Sequence, residues 1–270
     1  MTQAAREPAL GAIVSDLHRQ GRLRVWSIVV SALGDLAPQR DAALPAGAMQ
    51  EIMDVLGIEP GAVRTAVSRL GKDGLIRSAR DGRRTSYLVA PSAREEFDAA
   101  TTLIHAAERP VPGTTPLVLI GPEVNEHTAP PHAMLLRRDV LLWAGTDGPP
   151  PEITATSLIL REFDQEVPGW VSAAIAPPAL REGLLAVETL FAPLVETDGL
   201  VPVQAAAARV LLIHYWRRVL LRHPPLASAL LPPGWPEPQV RRFVHALYRE
   251  LTTKARPWLE ARLPSPENVT

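Results

Sequence analysis

Basic side chains are concentrated in one segment of this sequence, from Gly61 to Ala90. The segment holds seven arginine and lysine residues but only two acidic ones, although the whole chain has a formal net charge of −1. Such a local excess of cations suits phosphate binding, and the alternative is an ordinary solvated surface. The basic residues are Arg64, Arg69, Lys72, Arg77, Arg80, Arg83 and Arg84.

A helix is predicted to position the first of these cations. Apolar residues recur at helical spacing from Pro60 to Asp73, and Gly74 is a typical helix terminator. At 100° per residue, one sector is apolar and should face the core: Val63, Ala66, Val67 and Leu70. The opposite sector is small and polar with cations at its edges, which suits a DNA major groove. Its residues are Gly61, Thr65, Ser68 and Lys72, flanked by Arg64 and Arg69.

Two extended runs around Asp81-Gly82 predict a β-hairpin directly after this helix. With these two residues as the turn, Arg80 is expected opposite Arg83. The apolar base should pack on the domain, and the basic tip should project towards a nucleic-acid backbone or minor groove. The alternative is an ordinary hairpin with a soluble tip. The tip residues with the predicted role are Arg80, Arg83 and Arg84.

The segments before and after this region complete a mixed α+β pattern. Helices are expected within 10–34 and 45–57, so the N-terminal order is helix, turn, helix, hairpin, the plan of a winged helix-turn-helix. A helix over 92–108 should begin at Ser92, with Glu95 completing a capping box. Further on, strands are expected at 116–120, 140–144, 156–162 and 170–176, and helices at 131–138, 178–196 and from 202 to the end, with a proline-rich break at 224–238.

Two stretches carry a family resemblance. EPGAVRTAVSRLGKDGLIRSARDGRRTSYLVA (59–90) resembles the winged-helix segment of PaaX-like repressors, regulators of phenylacetic acid degradation. HYWRRVLLRHPPLASALLPPGWPEPQVRRFVHALYREL (214–251) is similar to the C-terminal domain of the same family. The resemblance implies a winged helix at 1–91, a connecting helix and linker at 92–115, a ferredoxin-like middle domain at 116–197, and a helical effector and dimerisation domain at 198–270.

The same resemblance implies a function. A homodimeric transcriptional repressor would bind a double-stranded DNA operator and be released by a small effector such as an acyl-coenzyme A, phenylacetyl-coenzyme A in the founding members. The DNA-contact roles carried over by the resemblance fall on Arg64, Thr65, Ser68, Arg69, Arg83 and Arg84.

A polar and aromatic cluster on an otherwise apolar helix is the candidate effector site. His214, Trp216 and Arg217 could line a cleft, because an acyl-coenzyme A needs cations beside an apolar surface. The alternative is a buried helix whose rings fill the core and whose polar tips find protein partners.

Other classes of protein find little support. The chain has no cysteine, which excludes disulfides, thiolate metal sites and a cysteine nucleophile. His127 and His132 are five apart in a proline-rich segment, a poor metal spacing, so neither a metal nor another cofactor is expected. The absence of a signal peptide and of long apolar stretches predicts a cytoplasmic protein without membrane contact. A non-enzyme is expected; the rivals are an enzyme acting on a coenzyme A thioester with a fused winged helix, and a winged helix used for protein contacts.

Overall fold

A computed structural model describes residues 8–19, 24–40, 42–108, 117–121, 133–143, 148–160, 168–195, 197–222 and 231–263. Helices and two antiparallel sheets agree with the predicted α+β class. The chain forms two compact units: Met1–His105 with Val187–Arg218 and Arg242–Thr270, and Ala106–Ala186 with Val219–Arg241. Among the described residues, no helix is long and apolar enough to cross a membrane.

Among its described residues, the N-terminal part of the first unit contains five α-helices and a three-stranded sheet. Its helices are α1 (Pro8–Arg19), α2 (Val25–Leu36), α3 (Ala46–Val55), α4 (Pro60–Lys72) and α5 (Arg94–His105). The antiparallel sheet has the order β1-β3-β2, formed by β1 (Leu44–Pro45), β2 (Ile76–Asp81) and β3 (Arg84–Val89). The order α3, turn, α4, hairpin therefore matches the order expected from the sequence.

Local signals set both ends of α4. Pro60 occupies the first turn, and Glu59 before it is extended, with φ −62° and ψ 141°, as expected for a residue that precedes proline. At the other end Gly74 adopts φ +69°, which costs a side-chain-bearing residue about 1–2 kcal/mol. The Leu75 amide then donates to the Leu70 carbonyl at 3.0 Å and closes the helix.

Two C-terminal helices complete the first unit. They are α9 (Pro202–Leu220) and α10 (Glu237–Arg262), of which the residues up to Arg218 and from Arg242 belong to it. Residues 204–216 of α9 are all buried, and most of them are apolar. A separate C-terminal domain at 198–270 stays a prediction, as do the other predicted domain boundaries.

The second unit is built on a four-stranded antiparallel sheet of order β5-β6-β4-β7. Its strands are β4 (Leu117–Ile120), β5 (Ala133–Arg137), β6 (Val140–Trp143) and β7 (Leu158–Leu160). One face packs with Ile153 of α6 (Pro151–Thr154), and the other with Val171 and Ile175 of α7 (Gly169–Ile175). The helix α8 (Pro178–Phe191) runs from this unit into residues of the first.

Two predicted elements in the second unit are wrong. Residues 131–138 were expected to be helical, but Ala133–Arg137 is the strand β5, which pairs with β6 across a turn in which Asp139 has φ 66°. Residues 170–176 were expected to be a strand, but Gly169–Ile175 is helical. Both errors have one cause: a short apolar run has no clear period, and its partners decide between helix and strand.

The predicted capping box of α5 is also wrong. Ser92 lies in a short 3-10 helix, Pro91–Ala93, and α5 begins at Arg94. The Ser92 hydroxyl instead donates to the Gly74 carbonyl at 3.0 Å, across the ends of α4 and β3. Arg94 is buried and donates to the Pro38 and Gln39 carbonyls, so this cation holds the start of α5 against the loop after α2.

Candidate nucleic-acid interface

Helix α4 presents one apolar face to the unit and one polar face to solvent. Val63, Ala66 and Leu70 are buried and Val67 is partly buried, so the apolar sector faces the core as predicted. The helix packs against α2 and α3. The outward residues are all exposed: Gly61, Arg64, Thr65, Ser68, Arg69 and Lys72.

Two of these outward side chains have intramolecular contacts. Thr65 Oγ1 donates to the Gly61 carbonyl at 3.0 Å, which fixes its rotamer against the helix. Arg69 lies 3.6 Å from the Asp73 carboxylate, and its guanidinium centre is 5.7 Å from the Trp26 ring centroid. The ion pair is exposed and therefore weak, so Arg69 can exchange it for another anion at little cost.

The hairpin register differs from the predicted one. Asp81 pairs with Arg84 and Arg80 with Thr85, so the two turn residues are Gly82 and Arg83 rather than Asp81 and Gly82. Gly82 has φ +57°, and glycine at the first turn position is typical of a type II′ turn. The expected pairing of Arg80 with Arg83 is therefore wrong. Arg83 lies at the turn itself, and the tip cations are exposed: Arg80, Arg83 and Arg84.

The proposed effector residues are mostly buried within the first unit. His214 is 2% exposed, and its Nδ1 lies 2.9 Å from Ser31 Oγ on α2. Burial, with a smaller contribution from Arg217 and Arg218, lowers the pKa of His214 to about 3, so this imidazole is neutral at pH 7. Trp216 is fully buried, and its Nε1 donates to the Ile104 carbonyl at 3.2 Å.

Arg217 is held by hydroxyl and carbonyl groups of α2. Its Nε donates to Ser31 Oγ at 2.6 Å, and its Nη2 donates to the Ser27 carbonyl and hydroxyl at 2.8 and 2.7 Å. Burial, and then the neighbouring Arg218, lower the pKa of Arg217 to about 10. The structure thus brings His214 and Arg217 together on Ser31 and directs Trp216 to α5. A ligand-binding role for these three residues stays a prediction.

A buried ionic network in the first unit was missed by the sequence reasoning. Asp35 of α2 is completely buried and accepts from Arg209 Nε of α9 at 2.9 Å. Tyr248 of α10 donates to the same carboxylate at 2.9 Å, and Arg209 also donates to Thr252 at 3.3 Å. The available signal was a charged residue inside each of two apolar helices, because buried charges require partners.

In the described part of the chain, no group of three or more histidine, cysteine, aspartate or glutamate side chains is placed to hold a metal ion. His127 and His132, whose spacing already disfavoured a metal, lie outside the described residues.

Comparison with known proteins matches two segments of the chain to family profiles. The profile of the PaaX-like proteins matches residues 24–93, and that of the PaaX-like C-terminal domain matches residues 182–261. The transcriptional repressor PaaX of Escherichia coli (strain K12) is 26% identical over 260 residues, which cover 85% of this chain and 81% of that protein.

A solved structure shares the fold at low sequence identity. The uncharacterised protein Rv0674 from Mycobacterium tuberculosis matches with a TM-score of 0.55 and 17% identity, covering 87% of this chain and 97% of that one. The first family profile spans α2 to the end of the hairpin, and the second contains α9 and most of α10. With both profiles in chain order and together covering more than half of its length, the chain belongs to the PaaX-like family.

Proposed function

We propose that the chain is a sequence-specific DNA-binding transcriptional repressor. The observation that carries the proposal is the exposed polar face of α4, edged by Arg64 and Arg69, directly followed by a hairpin with Arg83 at its turn. We interpret α3 to β3 as a winged helix-turn-helix in which α4 enters the major groove and the hairpin is the wing. The name of the Escherichia coli relative, a transcriptional repressor, supports the same function.

The side chains divide into two roles in this proposal. On α4, Arg64, Thr65, Ser68 and Arg69 read base edges or position the helix, since arginine can pair bidentately with guanine. Lys72 and the hairpin cations Arg80, Arg83 and Arg84 neutralise phosphates, which adds affinity without sequence information. All eight side chains are exposed, as contact with DNA requires.

The second unit is proposed to be the ferredoxin-like middle domain of the family. Numbered within the unit, its antiparallel strands have the order 2-3-1-4. This order, with hairpin-paired β5 and β6 at one side and β7 beside β4 at the other, is that of a ferredoxin-like sheet. The connection between β4 and β5 falls mostly on residues outside the described ranges.

The chain is proposed to act as a cytoplasmic homodimer without enzymatic activity. Two copies would place two α4 helices on a roughly palindromic operator, with half-sites about one helical turn or a multiple apart. A small effector such as an aryl- or acyl-coenzyme A would release the operator by favouring a dimer whose two α4 helices are too differently spaced to reach both half-sites. Since His214, Trp216 and Arg217 already bond protein groups, an effector there would have to replace those bonds.

Footprinting of the DNA upstream of the gene itself tests the function. We expect protection of a palindromic site by the wild type, and loss of at least tenfold in affinity in Arg64→Ala/Arg69→Ala. The control Arg138→Ala/Arg181→Ala removes two exposed arginines from the second unit and should leave the footprint intact. An unchanged footprint in the first variant would contradict the proposal.

The same assay tests the effector. Phenylacetyl-coenzyme A and other coenzyme A thioesters should weaken the footprint, and the thioester should be recovered unhydrolysed. A footprint that no thioester alters removes the proposed effector but leaves DNA binding in place. Turnover of the thioester would instead support the enzyme with a fused winged helix.

A further inference from the structure

The long helix α10 carries exposed arginines in a regular row. Arg242, Arg249 and Arg256 are seven residues apart, so they lie within a narrow sector of the helix at steps of about 10.5 Å. Ala246 and Thr253, also exposed, lie between them in the same sector. We call Arg242, Arg249 and Arg256 the arginine row; it spans about 21 Å and is followed one turn later by Glu260.

The other cations of α10 all have carboxylate partners. Arg241 bonds Glu237 at 2.9 Å, Lys254 bonds Glu250 at 2.6 Å, and Arg262 bonds Glu51 of α3 at 2.8 Å. Within the described part of the chain, no ion pair is formed by the three members of the arginine row. A solvated helix face normally mixes signs at i, i+4 spacing, and this helix does so elsewhere, so the row is a local excess of positive charge.

The row is attached to the proposed DNA-binding elements. Near the end of α10, Trp258 Nε1 donates to Glu51 Oε2 at 2.7 Å, while Arg262 Nε donates to Glu51 Oε1. Both carboxylate oxygens of one α3 residue are thereby bonded to α10. Helix α3 in turn packs on α4. The arginine row therefore lies on a helix bonded to α3, within the same compact unit as the proposed recognition helix and wing.

We propose that the arginine row is a second contact with the backbone of duplex DNA, outside the segment bound by α4 and the hairpin. The inference rests on the proposed DNA-binding function and extends its footprint. Three guanidinium groups match the phosphates of a backbone in charge, and the small Ala246 and Thr253 let that backbone approach the helix closely. The row contacts phosphates only, so it adds affinity for every sequence and no selectivity.

The salt dependence of binding tests the row. The full chain and Arg242→Gln/Arg249→Gln/Arg256→Gln are titrated onto a 40-base-pair duplex of unrelated sequence, and the logarithm of the binding constant is plotted against that of the salt concentration. Glutamine keeps the helix propensity of arginine. We expect the slope to become shallower by up to about 2.7 per bound chain, since each phosphate contact contributes about 0.9.

A charge-matched control separates the row from net charge. Arg138→Gln/Arg181→Gln/Arg222→Gln removes three exposed arginines of the second unit and changes the net charge equally. We expect its slope to stay close to that of the wild type. Equal slopes in the row variant and this control would overturn the proposal. A change of oligomeric state in the row variant alone would also overturn it, because the row would then be a protein interface.

Failure of the proposed function would look different. If the wild type itself bound neither the unrelated duplex nor the upstream DNA with a salt-dependent affinity, both proposals would fall together. A different set of results would reject the arginine row alone. In that case the wild type binds DNA with a salt-dependent affinity and Arg64→Ala/Arg69→Ala loses the footprint. The row variant, however, has the same salt-dependence slope as the charge-matched control. Thermal melting of each variant by circular dichroism verifies that it is folded.

Discussion

At the scale of single residues, the first unit uses buried polar side chains to connect distant segments. His214 and Arg217 meet on Ser31, and Asp35 meets Arg209 and Tyr248. Each group is bonded to protein atoms, as burial in a medium of low dielectric requires. These contacts explain why the helix carrying His214 holds polar groups without being amphipathic.

The neutral state of His214 predicts a dependence of stability on pH. Its folded pKa of about 3 lies below the unfolded value of about 6.5, so the unfolded chain binds the extra proton between these values. The contribution of His214 to the free energy of unfolding is therefore complete above pH 6.5. It should fall by about 1.4 kcal/mol for each pH unit below that.

Denaturant unfolding of the wild type and His214→Asn at several pH values between 4 and 7.5 measures this contribution. Asparagine retains a polar group near Ser31 but does not titrate. We expect the difference in stability between the two proteins to be largest at neutral pH and to shrink as the pH falls. Parallel curves would show that His214 is not held neutral.

At the scale of elements, the ionic network around Asp35 ties α2 to α9 and α10. Asp35→Asn keeps the shape of the side chain but leaves the buried Arg209 without a countercharge. We expect a loss of about 3–5 kcal/mol in the free energy of unfolding, measured by urea denaturation. Asp35→Asn/Arg209→Gln removes both charges and should lose less than Asp35→Asn alone. A larger loss in the double variant would mean that the charges are not coupled.

The end of α4 depends on the left-handed backbone of Gly74. Gly74→Ala should cost about 1–2 kcal/mol, because the β-carbon is strained at φ +69° even though its nearest neighbour, Ser92 Oγ, is 3.8 Å away. Gly47→Ala is the matched control in α3, where the added carbon has open space. It should raise stability by up to about 1 kcal/mol. Thermal melting compares the two, and equal effects would contradict the backbone argument.

At the scale of the whole molecule, the first unit is assembled from both ends of the chain. Helix α2 contributes Asp35 to a network completed by α9 and α10, and Glu51 of α3 is bonded by α10. Charged groups of the N-terminal segment therefore find these partners only when residues about 170 to 210 positions later are present.

A fragment of residues 1–108 tests this arrangement. Without α9 and α10, the Ser27 and Ser31 hydroxyls and the Asp35 carboxylate of α2 lose the groups that bond them. We expect the fragment to melt well below the full chain, or without a cooperative transition, when followed by circular dichroism. A fragment that melts cooperatively at the temperature of the full chain would show that the N-terminal elements are independent of the C-terminal helices.

The sequence by itself determined the elements whose signals are local. The outward and inward faces of α4, its limits at Pro60 and Gly74, and a hairpin around Gly82 follow from spacing and turn residues within a few positions. The eight candidate DNA-contact residues were accordingly expected to be exposed, and they are.

Only the tertiary structure decided the features that depend on distant partners. The apolar runs at 133–137 and 169–175 form a strand and a helix because of the neighbours that they pack against. The pairing of Asp35 with Arg209 joins residues 174 positions apart, a separation that no local pattern encodes. Side-chain periodicity is a property of a few turns of chain, whereas burial and charge pairing are properties of the folded assembly.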